Sequence, residues 1–300
     1  MTALLALCAS LLWGLADFGG GALARRLPAL TVVVASQAVA AAVLLAAVLA
    51  TGGWTDASPA LWYAVAAGVV GPFALLAFYR ALALGPMGVV SPLTTVAVAV
   101  PVGVGLALGD RPGPGQIAGA AVAVAGVVLA AGPERGGPSA ARGTLLLTLG
   151  AALGFGSVLA LIAHASTGGG LLLVLCVQRV CNVAVGGAVL LAGRRGSGSA
   201  DRSPDGTAFG PTSGPTDGPA PGLRAQLPAL TAIGLSDVVA NGAFALASHR
   251  GSATVAAVLS SLYPVVTALM ARGVFKERLR PVQVVGAGLA VAGTLLLASA

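Results

Sequence analysis

Charge is what this chain has least of. Only 8% of its 300 residues are Asp, Glu, Lys or Arg, too few to cover a globular surface, so a soluble domain is excluded. Aromatic residues make up 4% and none is interleaved with a basic run. That removes a nucleic-acid platform despite a net charge of +7. The two histidines, His164 and His249, lie far apart at loop edges without companion ligands and read as interfacial polar residues. The two glutamates, Glu134 and Glu277, both fall in loops, so the paired acid and base of a hydrolase or transferase are missing. Cys8, Cys176 and Cys181 sit in apolar runs without metal-ligand spacing and read as small fillers, silent on redox compartment. No Gly-Lys-Ser/Thr nucleotide loop occurs, which argues against ATP-driven work by this chain alone. The expectation is a non-enzyme with no cofactor and no metal.

Apolar residues (57%) and 44 glycines fill the rest. Runs of about 20 residues, bounded by Gly, Pro and Arg, suit α-helical membrane spans and not the roughly 10-residue alternating segments of an outer-membrane barrel. They fall near 3–22, 30–50, 60–80, 88–108, 116–132, 143–163, 170–192, 228–247, 253–272 and 282–298. The first lacks a basic leader and is followed by further spans, so it reads as a retained helix and not as a cleaved signal peptide.

The chain also repeats itself. Asp110-Arg111-Pro112-Gly113-Pro114-Gly115-Gln116 recurs 167 positions on as Glu277-Arg278-Leu279-Arg280-Pro281-Val282-Gln283, and in the same register Gly119 falls on Gly286 and Gly126 on Gly293. Five spans per copy is an odd number, so the second copy enters the membrane from the opposite side. The expected fold is an all-α integral membrane protein, with ten transmembrane helices as two inverted five-helix repeats. The repeats are placed at 1–132 and 143–300, joined by a linker at 133–142. Residues 194–226, rich in Gly, Pro and Ser, read as a disordered loop inside the second copy.

Thirteen Lys and Arg residues fall in the odd-numbered connections, against Arg111 and Arg250 in the even ones. The positive-inside rule then puts both termini outside a cytoplasmic membrane.

Several motifs together resemble the EamA-type transporters of the drug/metabolite transporter superfamily. These are Leu12-Trp13-Gly14, Tyr79-Arg80-Ala81-Leu82 leading into Gly88-Val89-Val90-Ser91-Pro92-Leu93, and Leu259-Ser260-Ser261-Leu262-Tyr263-Pro264. The Gly109-Asp110-Arg111 turn, with its counterpart after Phe275-Lys276, completes the set. The resemblance covers both halves apart from the long loop. It implies a secondary transporter of small metabolites, often an exporter, with a central cavity between the halves, and it implies no particular substrate. Members of that family usually keep both termini in the cytoplasm, so the arginine count departs from the pattern, and it is the count that is followed for this chain.

The repeated turns read as scaffold: Pro114 and Pro281 suit first helical turns, and the acidic residue with its arginine neighbour can cap helix ends. The paired glycines let helices approach closely. An ionisable group at membrane depth costs at least about 2.5 kcal/mol even on a lenient scale, so Asp17, Arg179 and Asp237 stand out. Trp13 shares a helical face with Asp17, and Asn241 with Asp237. Gln37 stands near the place in the second span that Arg179 holds in the seventh. Gly71 aligns with Asp237, so the second copy carries a polar group that the first lacks. Two readings stay open. Arg179 pairs with Asp17 or Asp237 to hold helices together, or these groups line a cavity in which Arg179 meets an anionic substrate group and Asp17 or Asp237 carries a coupling proton. Pro72, Pro92, Pro101 and Pro264 interrupt spans and free carbonyls. Tyr263, Ser260 and Ser261 form a candidate polar wall, matched by Thr94 and Thr95. Trp54, Trp62 and Tyr63 read as interfacial anchors. The expected partners are a small-molecule substrate and the lipid bilayer, with no nucleic acid and no oligomer required. A competing class is a non-transporting membrane scaffold or ligand sensor, with the long loop as its partner site.

Overall fold

The structure is a computed structural model that describes residues 2–98, 100, 113–130, 138–166, 168, 170–196, 222–250, 256, 259–260, 262–277 and 280–299. Every regular element among them is helical: α1 (Thr2–Ala24), α2 (Ala29–Thr51), α3 (Leu61–Leu84), α4 (Met87–Thr94), α5 (Pro114–Ala130), α6 (Pro138–Ser166), α7 (Leu171–Gly196), α8 (Leu227–Arg250), α9 (Tyr263–Phe275) and α10 (Pro281–Ser299), with short 3₁₀ turns between some of them. The helices are apolar on all sides and not amphipathic, as lipid requires, since a helix satisfies its own backbone polar groups without water. Six of them, α1, α2, α3, α6, α7 and α8, are long and apolar enough to cross a membrane, and shorter apolar helices accompany them. The chain is a multi-pass membrane protein.

Helix ends follow local chemistry. Gly52 takes the left-handed conformation (φ 72°) and its N–H closes α2 on the Val48 carbonyl. Pro114 and Pro281 open α5 and α10, where the missing N–H costs nothing. Lys276 ends α9 with φ 53°, the one non-glycine residue with positive φ among those described.

The expected boundaries shift in four places. The span at 88–108 begins as α4 but tightens to a 3₁₀ turn at Thr95–Val98; Pro92 lies inside it, and the Thr94 and Thr95 hydroxyls donate to the Ser91 and Pro92 carbonyls at 2.7 Å each. Pro264 stands in the first turn of α9, where proline is tolerated, and does not interrupt a helix interior. The disordered loop at 194–226 is helical at one end, where α7 runs to Gly196, and turns through 3₁₀ geometry at the other, Leu223–Gln226. The linker's last residues belong to α6. Asp110, Arg111, Pro101, Arg278, Ser261 and most of the long loop lie outside the described residues.

The most extensive pairings are α5 with α10, α3 with α6 and α7, α1 with α8 and α9, α2 with α7 and α8, and α4 with α9. Glycines let these pairs touch, because a Cβ added to them would strike the neighbour. Gly126 meets Ala290 and the Gly286 carbonyl, and Gly293 meets Ala123 and the Gly119 carbonyl. Gly68 rests on Cys181 and the Gln178 carbonyl, and Gly234 on Val39 and the Ser36 carbonyl. Gly14 faces Val266 and the Tyr263 carbonyl, and Gly156 faces Val100 and the Ala97 carbonyl. With little apolar driving force between helices in lipid, such close packing is the main source of association.

The principal core lies where α1, α2, α3 and α8 meet, around Val32, Val33, Phe78, Tyr79, Leu82 and Leu230. Outward-facing Leu and Val residues, such as Leu4 (71% exposed) and Leu146 (70%), are what a lipid-facing surface carries.

Candidate functional site

α7 presents Arg179 and Asn182 from consecutive turns near its middle, toward α2 and α8. The Arg179 Nη2 lies 2.8 Å from the Asp237 Oδ2, with both side chains largely buried. Its Nη1 donates to the Gln37 Oε1 at 2.7 Å, and the Asn182 Nδ2 donates to the same oxygen at 3.1 Å. One carbonyl oxygen on α2 thus gathers two donors from α7, which fixes which way the Gln37 amide points. Asp237 is steadied from its own helix by the Asn241 Nδ2, 3.2 Å from its Oδ1 and 2.6 Å from its backbone carbonyl. The Arg179 Nε and Asn182 Oδ1 are buried without a hydrogen-bond partner, an arrangement worth notice because buried polar groups are ordinarily satisfied.

Asp17 on α1 lies within Coulombic reach of Asp237, and Tyr79 on α3 within reach of Asp17, Asp237 and Arg179. Asp17 makes no ion pair among the described residues: the cation of the group is engaged by Asp237. One turn before Asp17, Trp13 meets Phe244 of α8 (ring centroids 5.8 Å apart, tilted 46°) and Tyr263 of α9 (6.3 Å, 72°). Tyr263 is also within electrostatic reach of Asp17. Trp13, Asp17, Phe244 and Tyr263 are all half-buried.

The candidate residues therefore separate into a polar relay (Gln37, Arg179, Asp237, Asn241) and an aromatic corner with a carboxylate (Trp13, Asp17, Tyr263), joined electrostatically through the two aspartates. Ser260 stands apart, its hydroxyl 3.4 Å from the Ala6 carbonyl as a helix-to-helix tie. Asn182, Tyr79 and Phe244 belong to the group and escaped the sequence reading. Asn182 lies one turn beyond Arg179, which is a signal; Tyr79 figures in the sequence only as part of the Tyr79-Arg80-Ala81-Leu82 motif, and Phe244 stands in an ordinary apolar run. Gly71, aligned with Asp237, leaves the room that the Asn182 amide occupies.

Away from this group, Glu277 performs the capping expected of the repeated turn, with a different arginine. Its Oε1 lies 3.0 Å from the Arg25 Nη2 at the end of α1, and its Oε2 accepts the Gly88 N–H at 3.3 Å in the first turn of α4. Arg25 also stacks 4.2 Å over the Phe275 ring. At the other end of the helices Trp54 and Trp62 are exposed, and Tyr63 packs against His164. No group of three His, Cys, Asp or Glu side chains able to hold a metal ion occurs among the described residues.

The profile of the EamA-like transporter family matches residues 1–132 and 142–299. A solved crystal structure matches with a TM-score of 0.61 at 19% identity, covering 98% of this chain and 95% of its own; an identity this low speaks to the fold alone. No curated protein matches.

Proposed function

This chain belongs to the EamA-like transporter family, and from that premise we propose that it is a secondary active transporter, an exporter of small polar or amphipathic metabolites across the cytoplasmic membrane. It works by alternating access, with two inverted five-helix repeats (residues 1–132 and 143–300) rocking about a midplane site. The repeat reading draws support from contacts that come in matched pairs. Gly126 on Ala290 answers Gly293 on Ala123, Gly68 on Cys181 answers Gly234 on Val39, and Gly14 on Val266 answers Gly156 on Val100. Each member maps on its counterpart by exchanging a helix with the one five places away.

The observation that carries the functional proposal is the charged group of Asp17, Arg179 and Asp237 near the middle of three apolar helices. A scaffold has no need of three ionisable groups at that depth, and such groups mark substrate or proton pathways. In this reading Trp13, Asp17, Gln37, Arg179, Asp237, Asn241 and Tyr263 line the substrate path, with Ser260 at its edge. Asp17 or Asp237 carries the coupling proton, and an anionic substrate group displaces Asp237 from Arg179. The charge bias places both termini outside.

Purified protein in liposomes tests the proposal. A panel of labelled amino acids, nucleosides and organic ions is expected to yield one flux that responds to an imposed proton gradient and is lost in Asp17→Asn or Asp237→Asn. Transport persisting in both variants would overturn the proton role. Saturable binding without flux across the panel would favour the sensor reading.

A further inference from the structure

We propose that Asp17, with the ring wall of Trp13, Phe244 and Tyr263, is a subsite for the ammonium end of an organic cation that also carries an apolar group. The inference rests on the transport reading for its purpose but on separate observations for its chemistry.

The first observation is charge. Asp237 has its cation in Arg179 at 2.8 Å and a further donor in Asn241, whereas Asp17 has no ion pair among the described residues. Of the two neighbouring carboxylates, Asp237 holds the guanidinium and Asp17 does not. A carboxylate in an apolar bundle is neutralised either by a proton or by a cation, and it is the surface beside this one that selects a cation.

The second is the wall beside it. Trp13, Phe244 and Tyr263 meet at 5.8 and 6.3 Å with planes tilted by 46° and 72°, so the rings form a corner of π surface and not a flat stack. A cation within about 6 Å of a ring centroid is attracted by the ring quadrupole, most strongly by Trp. The helical spacing puts Trp13 one turn from Asp17 on the same face, so a single ammonium group can meet both.

The third comes from the internal repeat. The register of the glycine contacts carries Trp13 onto Phe155, Phe244 onto Phe78, Asp17 onto Leu159 and Tyr263 onto Ala97. Phe78 and Phe155 do pack, with centroids 5.4 Å apart, so the helix crossing itself needs only two rings. At that second crossing Phe78 is buried to 2% exposure, and neither a carboxylate nor a third ring stands at the matching positions. Asp17 and Tyr263 are additions to a packing motif that is complete without them, on the crossing where neither ring is fully buried.

The test uses the full chain in detergent on a Trp54→Phe/Trp62→Phe background. Both replaced side chains are exposed, at 54% and 76%, so Trp13 becomes the sole tryptophan reporter. Benzyltrimethylammonium is expected to change its fluorescence saturably, and benzyl alcohol and benzoate are not. Asp17→Asn should weaken the cation at least tenfold, Asp17→Glu only a few-fold, and Tyr263→Leu severalfold; should Asp17→Asn fail to fold, Tyr263→Leu carries the comparison. An absent cation response, benzoate binding as tightly as the cation, or variants that bind unchanged would overturn the proposal. Cation binding without flux in liposomes would keep this subsite and defeat the transport reading. Flux of an anionic probe that depends on Arg179, with no cation binding, would do the reverse.

Discussion

Arg179 on α7 and Asp237 on α8 are joined at 2.8 Å with side-chain exposures of only 13% and 19%. Each is the other's principal counter-charge. Removing one partner of such a pair is expected to cost about 3 kcal/mol, because the survivor stays buried and uncompensated. Asp237→Asn or Arg179→Gln alone should lower the thermal stability of the protein in detergent. The double variant Arg179→Gln/Asp237→Asn should recover most of the loss. A double variant as unstable as the sum of the single ones would mean that the two charges do not act as a pair.

Gly126 and Gly293 supply a packing test with its own control. A side chain at either must displace the backbone of the facing helix, whereas Gly288, on α10 as well, has nothing within 4 Å of the position a Cβ would take. Gly126→Leu and Gly293→Leu are expected to reduce the yield of monodisperse protein severely, by an overpacking cost of at least about 1–3 kcal/mol. Gly288→Leu should leave the yield near that of the parent. Equal yields from all three would contradict the observed α5–α10 contact.

At the α9–α10 turn, Lys276 holds a left-handed backbone (φ 53°), a conformation that costs a residue with a Cβ roughly 1–2 kcal/mol. The first copy has Gly109 at the matching place. Lys276→Gly is expected to stabilise the protein by about 0.5 kcal/mol, less than the strain it relieves because glycine also gains freedom in the unfolded chain. A melting temperature that falls would show that the lysine side chain does more than the backbone strain costs.

The clasp between Arg25 and Glu277 depends on the shape of the guanidinium as well as its charge. Arg25 meets the carboxylate at 3.0 Å, reaches the Leu82 carbonyl at 3.4 Å and covers the Phe275 ring. Arg25→Lys keeps the charge and loses the fork and the stack, so a loss of about 0.5–1 kcal/mol is expected. In a Glu277→Gln background the same substitution should cost less. Urea or thermal titration of the four proteins gives the coupling directly, and a coupling of zero would reduce the clasp to an incidental contact.

The helices and the membrane class were legible from composition and run length, because a 20-residue apolar run has no stable alternative in lipid. What escaped prediction were the places where hydroxyl groups bond backward. The 3₁₀ turn after Thr94 follows from Pro92 and two threonines acting together, and an apolar run shows nothing of it. The charged residues stand out because charge at depth is rare; a single amide or phenol such as Asn182 or Tyr79 does not, even beside a charge or within a motif, because neutral polar groups in spans are common. The partner of Arg179 was also beyond the sequence. Asp17 and Asp237 are equal candidates in the sequence; the choice is made by the packing of α2 against both α7 and α8, beside which Arg179 and Asp237 come within 2.8 Å. Likewise the turn that holds Glu277 gives no sign of its pairing with Arg25, 252 positions away.

The largest helix pairings join one element before residue 131 to one after 137: α5 with α10, α3 with α6, α1 with α8. During synthesis the first five helices must therefore enter the bilayer and wait there, their glycine grooves filled by lipid, until the later helices leave the ribosome. Two separately translated pieces divided between α5 and α6 should be able to find one another in the bilayer, and neither should survive alone.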